Sequence, residues 1–352
     1  MSVLLIPMPI LAVIAQSLHG ATLADSALSG PADEFVDVPK MELKHPELSL
    51  SRHLNCWNAA EASRTVHNME PTLEFAEING AKLAYKILGD PSLPLFITLH
   101  GGRGFGSHGS DFAAYRPLAD SYRVLSFDFR GHGQSSCTLP YTFAQLVDDI
   151  HALREHFVGG DKAVICGGSF GGYLAQQYAI TYPAYVSHLV LRGTAPSHEH
   201  EAEAIETIKQ RLHLAPLASV EMMSKIFGAF VDDNEMRLVM FAVGPLYSEG
   251  VYDPNRGLES ATRTIYRAET HNALYSEEEK YFDYRARLKE ITAPTLIIVG
   301  ERDWICPLNQ SKIMADGIPD STLLVVKDAN HSVHHEKNEL VISEIRSFLS
   351  SR

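Results

Sequence analysis

The chain has 352 residues, 45% hydrophobic and 21% charged, with a formal net charge of −13. That length and composition suit an ordinary globular core, and the acidic balance argues against nucleic acid as a partner, because phosphates call for clustered Lys and Arg. Cys56, Cys137, Cys166 and Cys306 show no paired metal-ligand spacing and read as four unpaired thiols.

Residues 1–70 show no repeating strand–helix pattern and read as an N-terminal extension. Val3 to Leu18 is largely apolar but is broken by Pro7 and Pro9, too short and too interrupted for a membrane span. It resembles the apolar part of a secretory signal, with Ala24 after a small-residue site, yet the first basic residue is Lys40. Asn309-Gln310-Ser311 and Asn330-His331-Ser332 are glycosylation-type triplets. A glycan on the second would block a histidine assigned below to catalysis. The expectation is therefore a cytoplasmic protein, with secretion through an atypical signal as the alternative.

From Thr72 the pattern becomes regular. Leu73 to Ile78 and Lys82 to Ile87 flank Asn79-Gly80, a strong hairpin signal. Leu95 to Leu99 is a short apolar strand ending at His100-Gly101-Gly102, and Tyr122 to Phe127 is another ending at Asp128. Tyr141 to Phe157 has helical apolar spacing with Thr142 as a candidate N-cap. Ala163 to Cys166 reads as a buried strand, Tyr173 to Ala179 as a helix, and Val186 to Leu191, Pro294 to Val299 and Thr322 to Val326 as further strands. Leu340 to Leu349 reads as a closing amphipathic helix.

Short apolar strands alternating with helices predict an α/β fold, a mostly parallel sheet with helices on both faces and the hairpin as an antiparallel edge. Between Leu191 and Pro294 the alternation stops and helical spacing takes over, at Glu201 to Leu214, Ser219 to Phe230, Glu235 to Val243, Leu258 to His271 and Glu277 to Leu288. The expected organisation is a core in two parts, residues 71–195 and 289–352, with residues 196–288 inserted as a helical lid over the strand ends.

Gly167-Gly168-Ser169-Phe170-Gly171-Gly172 joins the strand Ala163 to Cys166 to the following helix. A serine on so sharp a turn needs small neighbours two before and two after it, and stands at a helix N-terminus able to receive negative charge. A Gly-rich turn without chemistry has the same local pattern. What lifts Ser169 above it is the company further along. A serine hydroxyl needs a base, and the base needs a third group to hold it. Gly300-Glu301-Arg302-Asp303 and Ala329-Asn330-His331 each follow a strand, which makes Asp303 the orienting acid and His331 the base, in the chain order expected of this arrangement. Glu301 is a rival carboxylate that reads as solvated. His334 and His335 are rivals that read as surface or helix-capping groups. The oxyanion donors are expected from the N–H groups of Phe170 and Gly102. His100 reads as a hydrogen-bonded structural residue. Within Asp128 to Ser135, Asp128 and Arg130 are expected to pair and brace the oxyanion loop.

His100-Gly101-Gly102, Asp128 to Ser135, Gly167 to Gly172, Gly300 to Asp303 and Asn330-His331 together resemble the α/β-hydrolase superfamily, from about Leu73 to the C-terminus. The doubled glycine before Ser169 and the segment Ala179 to Pro196, with Leu189-Val190-Leu191-Arg192-Gly193, resemble its proline iminopeptidase branch. The resemblance implies a serine hydrolase forming an acyl-enzyme on a small ester, amide or short peptide, with aminopeptidase-like action among the reactions it covers. That branch usually has proline after the two loop glycines and tryptophan after the serine, where this chain has Arg103 and Phe170. Its peptidases hold the substrate's free amine with lid carboxylates, for which Glu201, Glu203, Glu206, Asp232, Asp233 and Glu235 are available. No metal or other cofactor is expected; His198-Glu199-His200-Glu201 reads as surface. The alternatives are an esterase or lactonase, a C–C bond hydrolase of specialised metabolism, and a non-enzymatic ligand receptor on the same fold.

Overall fold

A computed structural model describes residues 70–351. The N-terminal extension, its signal-like segment and Cys56 lie outside the described residues.

Asn79 and Gly80 both take positive φ, 48° and 77°, as a two-residue hairpin turn requires. They join β1 (Glu74–Ile78) to β2 (Ala81–Leu88). The other strands are β3 (Leu95–Leu99), β4 (Arg123–Phe127), β5 (Ala163–Gly168), β6 (Val186–Arg192), β7 (Thr295–Gly300) and β8 (Ser321–Val326). They form one eight-stranded sheet in the order β1-β2-β4-β3-β5-β6-β7-β8. β2 runs antiparallel to both its neighbours, and every pairing from β4 to β8 is parallel.

The helices are α1 (His108–Tyr115), α2 (Phe143–Val158), α3 (Phe170–Thr181), α4 (His200–Arg211), α5 (Met223–Ile226), α6 (Asp233–Val243), α7 (Pro254–Arg263), α8 (Ala268–Leu274), α9 (Leu308–Gly317), α10 (Val333–Glu336) and α11 (Asn338–Ser350). Thr142 caps α2, its hydroxyl accepting from the Gln145 N–H at 3.2 Å.

Alternate residues of the buried strands feed two cores. Ile97, Ile165, Leu189 and Ile297 join a cluster with α2 and α3. Phe96, Val164, Val190 and Leu296 join another with α1 and α11. A strand buried on both faces reads as a continuous apolar run, which is why β3, β5 and β7 stand out in the sequence.

The stretch between β6 and β7 departs in detail from its sequence pattern. The helix expected over Leu258 to His271 is two, α7 and α8. The break falls where the Arg267 N–H donates to the Gly104 carbonyl at 2.7 Å, a tertiary bond that competes with the helical one. Ser219 to Phe230 forms only a 3-10 turn at Val220–Met222 and the short α5; past Gly228, Phe230 donates its N–H to the Asn272 side chain at 2.9 Å. Glu277 to Leu288 is not an α-helix. His198 donates to the Phe282 carbonyl at 2.9 Å and Tyr284 to the Pro196 carbonyl at 2.8 Å, a short two-stranded contact that leaves only a 3-10 turn at Arg285–Glu290.

Candidate active site

Ser169 sits at the β5–α3 junction with φ 53° and ψ −121°, left-handed backbone that a side chain adopts only where its surroundings enforce it. The enforcement is close packing by glycines. A Cβ on Gly167 would lie 2.3 Å from the Gly171 carbonyl oxygen, and one on Gly171 would lie 2.0 Å from that of Leu99. The turn is tied to β6: the Ser169 N–H donates to the Arg192 carbonyl at 3.0 Å, and the Thr194 hydroxyl donates to the Ser169 carbonyl at 2.8 Å.

Asp303 and His331, 28 residues apart, are brought together after β7 and β8, His331 Nδ1 lying 2.9 and 3.1 Å from the two Asp303 oxygens. Both are buried, at 3% and 7% exposure. Asp303 Oδ1 also accepts the N–H groups of Ile305 and Cys306, at 3.1 and 2.9 Å, so the acid is held on both sides. Glu301 faces solvent. The histidine loop is fixed by Asn330, whose side chain accepts the His331 N–H at 2.8 Å and donates to the Leu246 carbonyl at 2.8 Å. Ser169 and His331 line the same cavity, of about 670 Å³.

Gly101 and Gly102 pass over the serine: a Cβ on Gly101 would meet Ser169 Cβ at 3.1 Å, and Gly102 takes a φ of 80°. The Phe170 N–H begins α3 and has no intrahelical acceptor. His100 holds the loop, its Nδ1 2.9 Å from the Gly101 carbonyl and its Nε2 accepting from Phe129 at 3.3 Å. Burial keeps this ring neutral, its pKa pushed down to about 4.

The expected Asp128–Arg130 pair does not form. Arg130 instead donates to both oxygens of buried Asp149 on α2, at 2.6 and 2.7 Å. Asp128 accepts from the His108 and Gln134 N–H groups, at 2.5 and 2.7 Å. The turn still braces the loop after β3, but through Asp128 at His108 and through His132 Nε2, which accepts from the Gly104 N–H at 2.8 Å.

Residues 94–338 match a family model described as alpha/beta hydrolase fold. The chain belongs to the α/β-hydrolase family. This α/β-hydrolase is 60% identical over 279 residues to a protein named proline iminopeptidase PfmaB from Pestalotiopsis fici, covering 79% of this chain and 99% of the relative. It is 27% identical over 270 residues to the proline iminopeptidase of Saccharolobus solfataricus, covering 72% and 84%. Among solved structures, the enol-lactonase from Burkholderia xenovorans superposes with a TM-score of 0.61 at 22% identity, over 79% of this chain and 100% of that one. An esterase from Exiguobacterium antarcticum does so with a TM-score of 0.63 at 20% identity, over 80% and 100%. The chain is thus an enzyme of the hydrolase class with proline iminopeptidase-like character.

Behind the serine of this hydrolase lies a buried group that the sequence pattern did not reveal. Arg192 Nη2 donates to Asp111 Oδ1 at 3.2 Å, and His334 Nε2 lies 3.5 Å from the same oxygen. His334 is therefore not a surface group; it is 5% exposed, whereas its neighbour His335 is exposed and contacts Ser110. Burial pushes the Asp111 carboxyl up to about 6 against the opposing pull of Arg192. The arginine's place directly after the apolar run of β6 was the available signal.

The six carboxylates of the segment between β6 and β7 are mostly engaged. Glu203 accepts from Gln310, Glu206 pairs with Lys209, and Glu235 pairs with Lys225. Asp232 caps α6, and Asp233 accepts the Ala268 N–H. Glu201 alone keeps a buried oxygen without a hydrogen-bond partner, and burial raises its carboxyl to about 7. In the run His198 to Glu201, His200 is buried rather than surface, its Nε2 3.0 Å from the Tyr173 hydroxyl, and Glu199 pairs with Arg285. Among the described residues no three His, Cys, Asp or Glu side chains are grouped to hold a metal ion, and no helix is long and apolar enough to cross a membrane. Cys137, Cys166 and Cys306 are free.

Proposed function

We propose that the chain is a serine hydrolase in which Ser169 attacks the carbonyl of a small ester, amide or short peptide. His331 takes the serine proton and returns it to the leaving group. Asp303 orients the imidazole through Nδ1 and stabilises its charged form. The Phe170 and Gly102 N–H groups hold the oxyanion, a contribution on the order of 3 kcal/mol for each donor. Water then releases the acyl-enzyme, and residues 196–288 close the cavity as a lid.

The observation that carries this reading is the enforced left-handed backbone at Ser169, on a cavity wall shared with a buried histidine whose far nitrogen is held by a buried carboxylate. The relatives named proline iminopeptidases favour release of an N-terminal residue as the reaction. Ser169→Ala is expected to abolish turnover and fluorophosphonate labelling while leaving the fold intact by circular dichroism. Wild-type turnover in that variant would refute the assignment. Rates on proline-p-nitroanilide and p-nitrophenyl acetate then rank amide against ester chemistry.

A further inference from the structure

Arg103 follows the two glycines of the oxyanion loop, lines the cavity shared by Ser169 and His331, and is 3% exposed. Its guanidinium stacks on Tyr275 at 3.8 Å, with the rings of Phe143, Phe170 and Tyr173 at 5.2 to 5.6 Å. Nη1 donates to the Leu274 carbonyl at 3.0 Å, and Nη2 donates to nothing. Two other buried arginines hold a carboxylate, and a third, Arg154, has more carbonyl acceptors although its Nε too is without a partner. Arg130 holds Asp149, Arg192 holds Asp111, and Arg154 donates to two loop carbonyls. Among the described residues no carboxylate comes within ion-pairing distance of Arg103. A buried cation left without a counter-charge costs several kcal/mol, and aromatic faces offset only part of that.

Apart from Glu201, the acids near this wall are occupied. Asp111 holds Arg192, and Glu249 holds Arg211 and Arg302. Glu201 feels the charge of Arg103 but makes no ion pair with it. Five of the six carboxylates suited to holding a substrate amine are bonded elsewhere, as set out above. The wall beside this loop therefore holds a positive charge with a buried, unspent donor, which attracts an acid.

We infer that Arg103 is a specificity-determining residue that binds a carboxylate, or an equivalent anionic oxygen, on the substrate of this hydrolase. The inference rests on the cavity being the substrate site, as proposed above, and deepens that reading by naming the charge of the substrate. A guanidinium suits a carboxylate because its planar donors match two oxygens at once.

The test uses the full chain and p-nitrophenyl monoesters of succinic, glutaric and adipic acid, each beside its neutral methyl ester. At least one free acid is expected to have a kcat/KM about tenfold or more above its methyl ester, the difference lying mainly in KM. Arg103→Met is expected to abolish that preference and Arg103→Lys to retain part of it, with thermal melting confirming that both variants fold. No preference in the wild type, or a preference unchanged in Arg103→Met, overturns the inference while leaving the hydrolase reading in place. If no ester turns over, calorimetry of glutarate binding to the wild type and to Arg103→Met decides separately. Binding that depends on Arg103 supports the inference, and its absence at millimolar glutarate ends it. Fluorophosphonate labelling of Ser169 judges the hydrolase reading independently in either case.

Discussion

At position 168 there is no room for even a methyl group: a Cβ there would sit 1.8 Å from Arg192 Nη2. The doubled glycine before Ser169 thus has two physical causes. Gly167 yields to the backbone of α3, and Gly168 yields to an arginine side chain arriving from the end of β6. Arg192 in turn holds Asp111 on α1, directly after the glycine loop that follows β3, so the serine turn and that loop share one buried ion pair. Gly168→Ala is expected to push the guanidinium off Asp111, lowering stability by about 1–3 kcal/mol and reducing kcat. Denaturant melts and steady-state rates on p-nitrophenyl acetate measure both. A variant with unchanged stability would show that the arginine has room to move aside.

One buried coupling between elements runs through Arg130 and Asp149. Asp149 Oδ1 also accepts from Asn79 and Gln145, each at 3.0 Å, so one carboxylate joins the β1–β2 turn, the loop after β4 and helix α2. Removing one partner of a buried pair leaves the other charged and unsatisfied. Asp149→Ala is expected to cost about 3–5 kcal/mol, read as a fall in the urea midpoint. The double variant Arg130→Met with Asp149→Leu is expected to regain most of the loss, because it removes both charges together. If the double variant is no more stable than Asp149→Ala, the pair is not the source of the effect. At this scale α1 and α9 also escaped the periodicity, being short and bracketed by functional loops. The broken helices between β6 and β7 escaped it because their ends are set by bonds to distant groups.

Across the whole molecule, buried histidines govern the response to acid. Burial is the largest cause lowering His100, His200 and His271 to about 4 and His132 to about 3, all from an ordinary 6.5. The unfolded chain therefore binds more protons than the folded one below pH 6.5. The stability these groups supply is complete above that pH and is lost as pH falls toward 4. Asp111 and Glu201, raised to about 6 and about 7, act in the opposite sense over the same window, but burial also lowers His334 and His335, so they are two against six. The net expectation is a loss of roughly 3–5 kcal/mol per pH unit between pH 6 and 5, measurable by urea melts at fixed pH. Equal midpoints at pH 6 and 5 would contradict it.

Reading the chain in order was enough to find the apolar strands, the hairpin at Asn79-Gly80 and the cap at Thr142, and to place Ser169, Asp303 and His331 just past the ends of β5, β7 and β8. These signals are local: a strand buried on both faces must be apolar throughout, and a loop that follows it must turn within a few residues. The partners of charged side chains were not legible. Arg130 stands two residues from Asp128 yet binds Asp149, and Arg192 meets Asp111 from 81 residues away. Arg103 read as a departure from a family pattern, and only its burial among rings from three separate segments turned it into a cation without a counter-ion. Pairings of that kind depend on which elements the fold stacks together, and sequence spacing carries no record of it.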